Sequence, residues 1–109
     1  MKFEVLTSSL FNKEFKNLCK KHKSAKADVI TFVATLQLNP TQGTPIGKDC
    51  FKVRIAISSK GKGKSGGARL ITKIRIVNET IYLLSIYDKS DQSSISDKEL
   101  EAILKSIED

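Results

Sequence analysis

Cationic side chains alternate with apolar ones along two segments of the chain, residues 51–57 and 68–77. An alternation of period two is typical of a β-strand whose two faces differ in polarity. The two segments are predicted to pair, because a hairpin loop joins them. Where the apolar alternates pack on helices, five cations project from the opposite face: Lys52, Arg54, Arg69, Lys73 and Arg75.

Like charges held this close repel, so the arrangement favours a polyanionic partner that neutralises them. RNA would also supply chemistry, because its own 2′-hydroxyl can attack the adjacent phosphorus. The protein then has to deprotonate that hydroxyl, stabilise the phosphorane charge and protonate the leaving oxygen. Cations stabilise the charge, and a lysine whose pKa is lowered by neighbouring cations would act as a base. The alternative is that these long side chains extend into solvent without a partner.

A segment rich in glycine and lysine, residues 58–67, connects the two strands and contains Lys60, Lys62 and Lys64. It does not satisfy the P-loop pattern, because Ser58 stands where the first glycine is needed and a strand follows in place of a helix. It is predicted to be a flexible basic loop whose lysines and amides contact RNA phosphates. A disordered hairpin tip without a ligand is the alternative.

Other residue types indicate little catalytic machinery. His22 is the only histidine and is predicted at a helix end, where a packing or charge role is typical. No Ser/His/Asp set, paired-histidine motif or carboxylate cluster precedes the acidic tail. Cys19 and Cys50 indicate neither a disulfide framework nor a zinc site. We therefore expect no metal ion and no cofactor.

The net charge of +7 is unevenly distributed along the chain. Residues 48–75 carry nine Lys/Arg and one acid, whereas residues 88–109 carry three Lys and seven acids. A basic centre with an acidic tail favours a polyanion-binding protein, and a lysine-rich soluble surface is the alternative. The sequence shows no apolar signal region and no membrane-spanning stretch. The expected setting is the cytoplasm, without a membrane partner.

The elements that must position these residues are predicted to form one α+β domain over residues 1–109. A strand at residues 2–6 precedes two amphipathic helices, which a short lysine-rich turn joins into a hairpin. A turn-rich segment leads into a three-stranded antiparallel meander, whose most apolar strand, residues 81–87, is expected at the centre of the sheet. A capping box, Ser96-x-x-Glu99, begins a C-terminal helix. All the helices are expected on one face of the sheet, which leaves the cationic face open.

Several stretches, in this order, resemble the RelE/ParE toxin superfamily and most of all its RelE- and HigB-like branch. They are Asp49-Cys50-Phe51-Lys52-Val53-Arg54, Ser65-Gly66-Gly67-Ala68-Arg69-Leu70-Ile71, Leu84-Ser85-Ile86-Tyr87-Asp88-Lys89 and Ile95-Ser96-Asp97-Lys98-Glu99-Leu100. The order of elements is similar over almost the whole chain. The resemblance implies a RelE-like fold and a cytoplasmic toxin of a type II toxin–antitoxin module, neutralised by a cognate antitoxin protein.

In the RelE branch the resemblance further implies metal-independent cleavage of mRNA at the ribosome, and hence inhibition of translation. Lys52 and Arg54 match the paired basic residues of that branch's active strand and would act as base or charge stabilisers. Arg69 matches an arginine that clamps the phosphate. Lys89 matches a basic residue after the last strand, which positions RNA or contacts the leaving group.

RNA contacts are predicted beyond this catalytic set. The tyrosine that follows the last basic residue in RelE is absent here, and Ile95 stands near its place. Tyr87 is the candidate substitute for it. The predicted RNA-binding residues are Lys60, Lys62, Lys64, Lys73, Arg75 and Tyr87.

Two other functions remain open at this point. A ParE-like toxin would inhibit DNA gyrase without cutting nucleic acid, and it would have no need of cations at positions 52, 54 and 69 together. A catalytically weakened toxin-fold protein would only bind RNA or its protein partner. A gyrase supercoiling assay detects the first, and loss of toxicity in a folded Arg69→Ala variant argues against the second.

Overall fold

The computed structural model describes residues 2–107, which contain five strands and three α-helices. In chain order they are β1 (Glu4–Thr7), α1 (Ser9–Lys21), α2 (Ala25–Leu38), β2 (Thr44–Gly47), β3 (Cys50–Ile55), β4 (Ala68–Arg75), β5 (Thr80–Asp88) and α3 (Asp97–Ser106). The predicted α+β class, N-terminal strand, helical hairpin, meander and C-terminal helix are confirmed. Strand β2 is an addition, because it lies in the segment predicted to be turn-rich and pairs with β3.

Side-chain N-caps stabilise the first turn of two helices. The Ser8 hydroxyl accepts a hydrogen bond from the Phe11 N–H at 2.9 Å and donates one to the Leu84 carbonyl at 2.7 Å, so it caps α1 and ties that helix to β5. Ser96 and Glu99 form the predicted capping box at the start of α3. Within residues 2–107 no helix is both long enough and apolar enough to span a membrane.

The strands form one mixed sheet in the order β1-β5-β4-β3-β2. β1 runs parallel to β5, and the other neighbouring strands are antiparallel. Residues 81–87 of β5 were predicted to lie centrally, and β5 is an interior strand between β1 and β4. The middle strand of the five is β4, because β2 extends the sheet beyond β3.

Helices cover both faces of the sheet, which corrects the prediction that all of them pack on one face. α1 and α2 cover the face that contains Val53, Leu70 and Ile86. α3 covers the opposite face. There Leu100, Ile103 and Leu104 pack against Cys50, Ile71, Leu84 and Tyr87. The second face needs a cover because these strand residues are apolar, although Cys50 and Ile71 share that face with Lys52 and Arg69.

Candidate nucleic-acid interface

Lys52, Arg54 and Arg69 share one face of the sheet, as predicted. In the register of β3 and β4, Arg54 lies directly opposite Arg69 and Lys52 lies opposite Ile71. Arg54 is exposed and Lys52 is half-buried. Neither side chain forms an ion pair within residues 2–107. Lys52 and Arg54, which lie on the same face as the third cation, Arg69, therefore remain available for an anionic ligand.

Arg69 itself is buried, with 3% of its surface exposed. Its Nη1 donates to the carbonyls of Lys64 (2.9 Å) and Ala68 (3.2 Å), and its Nη2 donates to the carbonyl of Ser65 (3.1 Å). Burial lowers the pKa of Arg69, and the nearby charge of Arg54 lowers it further. These donors hold the basic loop, so the phosphate clamp predicted for Arg69 is already occupied by backbone oxygens.

The two remaining cations of β4 lie farther along the strand from Arg69. Lys73 is four residues beyond Arg69, about 13 Å along the strand. Its Nζ donates to the Lys48 carbonyl at 2.8 Å. Arg75 lies over the ring of Tyr82, 4.9 Å from the ring centroid. Lys73 pairs with Cys50 and is therefore a diagonal neighbour of Lys52 on the same face, although its ammonium is bonded to a carbonyl. The structure does not bring Arg75 together with Lys52 and Arg54.

Tyr87 lies beside Arg69 in the sheet and under α3. Its hydroxyl is buried and has no hydrogen-bond partner within residues 2–107. Burial raises its pKa from the ordinary tyrosine value. The RNA contact predicted for Tyr87 is thus covered by α3 in this structure. Ile95, near the place of the RelE tyrosine, packs at the edge of the same core.

The loop between β3 and β4, predicted to be flexible, has contacts with the rest of the protein at its two ends, and residues 61–65 between them are exposed. It begins with a short 3₁₀ helix, Ser58–Lys60. The side chain of Lys60 is only 7% exposed, and its ammonium forms an ion pair with Asp88. The ammonium predicted to contact RNA phosphate is therefore buried. Lys62 and Lys64 are exposed, as that prediction requires.

Asp88 accepts hydrogen bonds from several groups and was missed by the sequence analysis. His22 Nε2 lies 2.7 Å from its Oδ2, and the N–H and hydroxyl of Ser90 lie 2.9 and 2.7 Å from its Oδ1. Burial raises the pKa of Asp88, but the bonds from Lys60, Ser90 and His22 outweigh it and hold the pKa well below the ordinary value. A sequence signal existed, because Asp88 is an acid at the end of the most apolar strand.

Lys89 follows Asp88 and completes a basic surface around Arg69. Its N–H donates to the Gly67 carbonyl at 3.0 Å, which places its backbone beside the end of the loop. The basic surface, as we define it, consists of Lys52, Arg54, Lys62, Lys64 and Lys89. None of these five side chains forms an ion pair with any residue between 2 and 107. The segments that carry them, β3, the loop and the end of β5, meet around Arg69, which pairs with Arg54 and binds the Lys64 carbonyl.

Comparisons with known proteins identify the family of this chain. The family model for the RelE toxin of the RelE / RelB toxin–antitoxin system matches residues 9–108. The chain belongs to the RelE toxin family. It is therefore the toxin of a toxin–antitoxin system, and its expected partner is a cognate antitoxin.

Two solved structures of E. coli RelE share the fold of this RelE-family toxin. A mutant of that toxin with two arginines replaced by alanine, in the free state, is 13% identical, with a TM-score of 0.65 over 99% of this chain and 100% of that one. The isolated toxin in its P21 form is 14% identical, with a TM-score of 0.62 over 94% of this chain and 97% of that one. Similarity at this level of identity concerns the fold alone.

The toxin has few groups suited to proton transfer near the basic surface. His22 belongs to the Asp88 cluster, on the side of the sheet that α1 and α2 cover. Within residues 2–107 no three side chains of His, Cys, Asp or Glu lie close enough together to hold a metal ion. The basic surface is thus suited to binding phosphates and stabilising their charge. Two hydroxyl residues of the sheet lie beside its cations: Thr44 pairs with Lys52, and Tyr87 pairs with Arg69 under α3.

Proposed function

We propose that this RelE-family toxin is a metal-independent endoribonuclease that cleaves mRNA at the ribosome and so inhibits translation in the cytoplasm. The observation that carries the proposal is the basic surface, whose five cations have no ion-pair partner within residues 2–107. Unpaired like charges destabilise one another, and RNA phosphates would neutralise them. The family match supports the toxin assignment, and cleavage is our inference.

In the proposed reaction the 2′-hydroxyl of one nucleotide attacks the adjacent phosphorus and the 5′-oxygen leaves. Lys52 and Arg54 would lie at the scissile phosphate and stabilise the charge that develops on its oxygens. Lys52 in its neutral form would accept the proton of the 2′-hydroxyl and would then carry positive charge beside the phosphate. The ammonium of Lys89 would contact the leaving 5′-oxygen and donate the proton that it takes up. Arg69 would contribute by its charge and by holding the loop, because its Nη1 and Nη2 donate to backbone carbonyls.

The test is to induce the protein in a bacterial host and to map the 5′ ends of its mRNAs. We expect growth arrest together with new 5′ ends in phase with codons, as cleavage at the ribosome requires. Growth arrest without such ends would contradict the proposal. In that case a supercoiling assay identifies a ParE-like gyrase inhibitor, and RNA binding without cleavage identifies a catalytically weakened toxin.

RNA binding is expected to depend steeply on salt. Four to six phosphate contacts to a single strand predict a slope of about −3 to −4 for log K against log salt concentration. The Lys62→Ala/Lys64→Ala variant removes two contacts and should make the slope shallower by about 1.4. Fluorescence anisotropy with a labelled oligonucleotide, titrated at several salt concentrations, measures both. A flat salt response would remove the electrostatic basis of the proposal.

A further inference from the structure

One residue, Asp88, holds both ends of the basic loop, residues 58–67. The backbone of Asp88 pairs in the sheet with Ala68, the first residue after the loop. The side chain of Asp88 binds Lys60, the third residue of the loop. Both ends of the loop are therefore attached to the same residue. Both side chains are almost fully buried, with 3% and 7% exposure.

We propose that Asp88 is a positioning residue, which holds the basic loop so that Lys62, Lys64 and Lys89 form a preformed surface for RNA phosphates. The proposal rests on the proposed RNA binding and assigns no chemistry to Asp88 itself. The carboxylate faces away from Arg69, toward His22 and Lys60. It therefore acts on RNA only through the loop and through Lys89, its neighbour in the chain.

Further contacts fix the rest of the loop. At its start, Asp28 of α2 accepts hydrogen bonds from the N–H and hydroxyl of Ser58 at 2.8 and 3.0 Å. Near its end, Arg69 binds the carbonyls of Lys64 and Ser65. The next residue, Ser59, exchanges hydrogen bonds with Ser24, which also holds the start of the loop. The Asp88–Lys60 pair follows as the last side-chain anchor before the glycine-rich part. Without it, residues 58 and 59 stay bonded to the helical side, and the segment that follows loses its contact with β5.

A buried ion pair is an unusual way to stabilise a small domain. Removing two charges from water opposes folding, and apolar residues of similar size often stabilise a protein as well. The pair also takes a lysine away from a surface where a further cation would strengthen RNA binding. The need to hold the loop in one geometry explains why the ion pair is buried and why Lys60 is withdrawn from the surface. A preformed surface loses less conformational entropy when RNA binds.

The test compares Lys60→Met with Lys23→Met. Each variant loses one cation, and neither residue belongs to the basic surface. Lys60→Met leaves Asp88 bonded to His22 and Ser90. Lys23 is exposed between α1 and α2 and serves as the matched control. We measure the dissociation constant for a single-stranded RNA oligonucleotide and the hydrogen exchange of the loop amides in each protein.

We expect Lys60→Met to weaken RNA binding by about tenfold, since the ordering of several loop side chains is then required on binding. Loop amides should exchange faster, while amides of β4 and β5 stay protected. Lys23→Met should change the affinity by less than about twofold, the small effect of a remote exposed charge. Lys60→Arg, which keeps a cation for Asp88, should restore most of the affinity.

Several outcomes would overturn the proposal. One is a folded Lys60→Met protein with unchanged RNA affinity, whether or not its loop exchanges faster. Another is equal weakening in Lys60→Met and Lys23→Met, which indicates an effect of net charge alone. Where Lys60→Met is too unstable, Lys60→Met/Asp88→Asn buries no unpaired charge. Its net charge equals that of wild type, so it is compared with wild type directly, and unchanged RNA affinity again overturns the proposal. Wild-type protein that binds no RNA refutes the proposed function, and loop exchange in Lys60→Met then reports the anchoring separately.

Discussion

Lys52→Ala/Arg54→Ala is expected to abolish toxicity and to slow RNA cleavage by about 10²-fold or more, the loss that follows removal of a single transition-state donor. Both side chains lie on the face beside Arg69 and have no ion-pair partner within residues 2–107. Their loss therefore removes charge at the phosphate and little of the fold. Growth on induction and cleavage of ribosome-bound mRNA in vitro measure the effect.

A matched control is Lys13→Ala/Lys16→Ala on α1. These two lysines are exposed and lie outside the basic surface, and the net charge falls by the same amount. We expect this variant to keep its toxicity and the wild-type pattern of mRNA ends. Unchanged cleavage by the Lys52→Ala/Arg54→Ala protein, with the same melting temperature as wild type, would show that the chemistry takes place elsewhere.

Gly67→Ala is expected to destabilise the protein by about 3 kcal/mol or more, at the upper end of the usual cost of overpacking. A Cβ at this position would lie 2.0 Å from the Ile55 carbonyl oxygen and 3.1 Å from the Cα of Ala56. These are backbone atoms at the end of β3, so no side-chain rotation relieves the clash. The shift would also disturb the hydrogen bond from the Lys89 N–H to the Gly67 carbonyl.

Urea unfolding of Gly67→Ala and Gly63→Ala provides the comparison. A Cβ on Gly63 meets no atom within 4 Å, and its φ of +62° is the only obstacle. The left-handed conformation costs about 1–2 kcal/mol for a residue with a side chain. Gly63→Ala should therefore be the milder change. A Gly67→Ala protein less destabilised than Gly63→Ala would show that β3 and the loop have room to separate.

Short-range patterns predicted much of the fold. The alternation along residues 51–57 placed Lys52 and Arg54 on one face, and the register with β4 confirms that Arg69 joins them. The capping box at Ser96 and Glu99 was equally readable, because both hydrogen bonds close within four residues of chain. Such features depend on the period of a strand or the geometry of one helical turn, which adjacent residues specify.

Whether an individual cation is exposed, or buried and paired, depends on contacts between distant parts of the chain. The sequence does not distinguish Lys60 from Lys62, or Arg69 from Arg54. In the fold, the side chains of Lys60 and Arg69 are buried, whereas Lys62 and Arg54 are exposed. Asp88 meets Lys60 across 28 residues and His22 across 66.

Local sequence patterns also could not predict which face of the sheet α3 covers. Its apolar stripe is evident in the sequence, but both faces of the sheet offered apolar residues to cover it. The cationic side was therefore predicted to be open, whereas α3 closes its middle over Tyr87. Residue types and their period determine which side chains share a face. Whether a charge on that face meets solvent, a carbonyl or a carboxylate depends on which distant segments pack beside it, because burial and pairing are properties of the assembled fold.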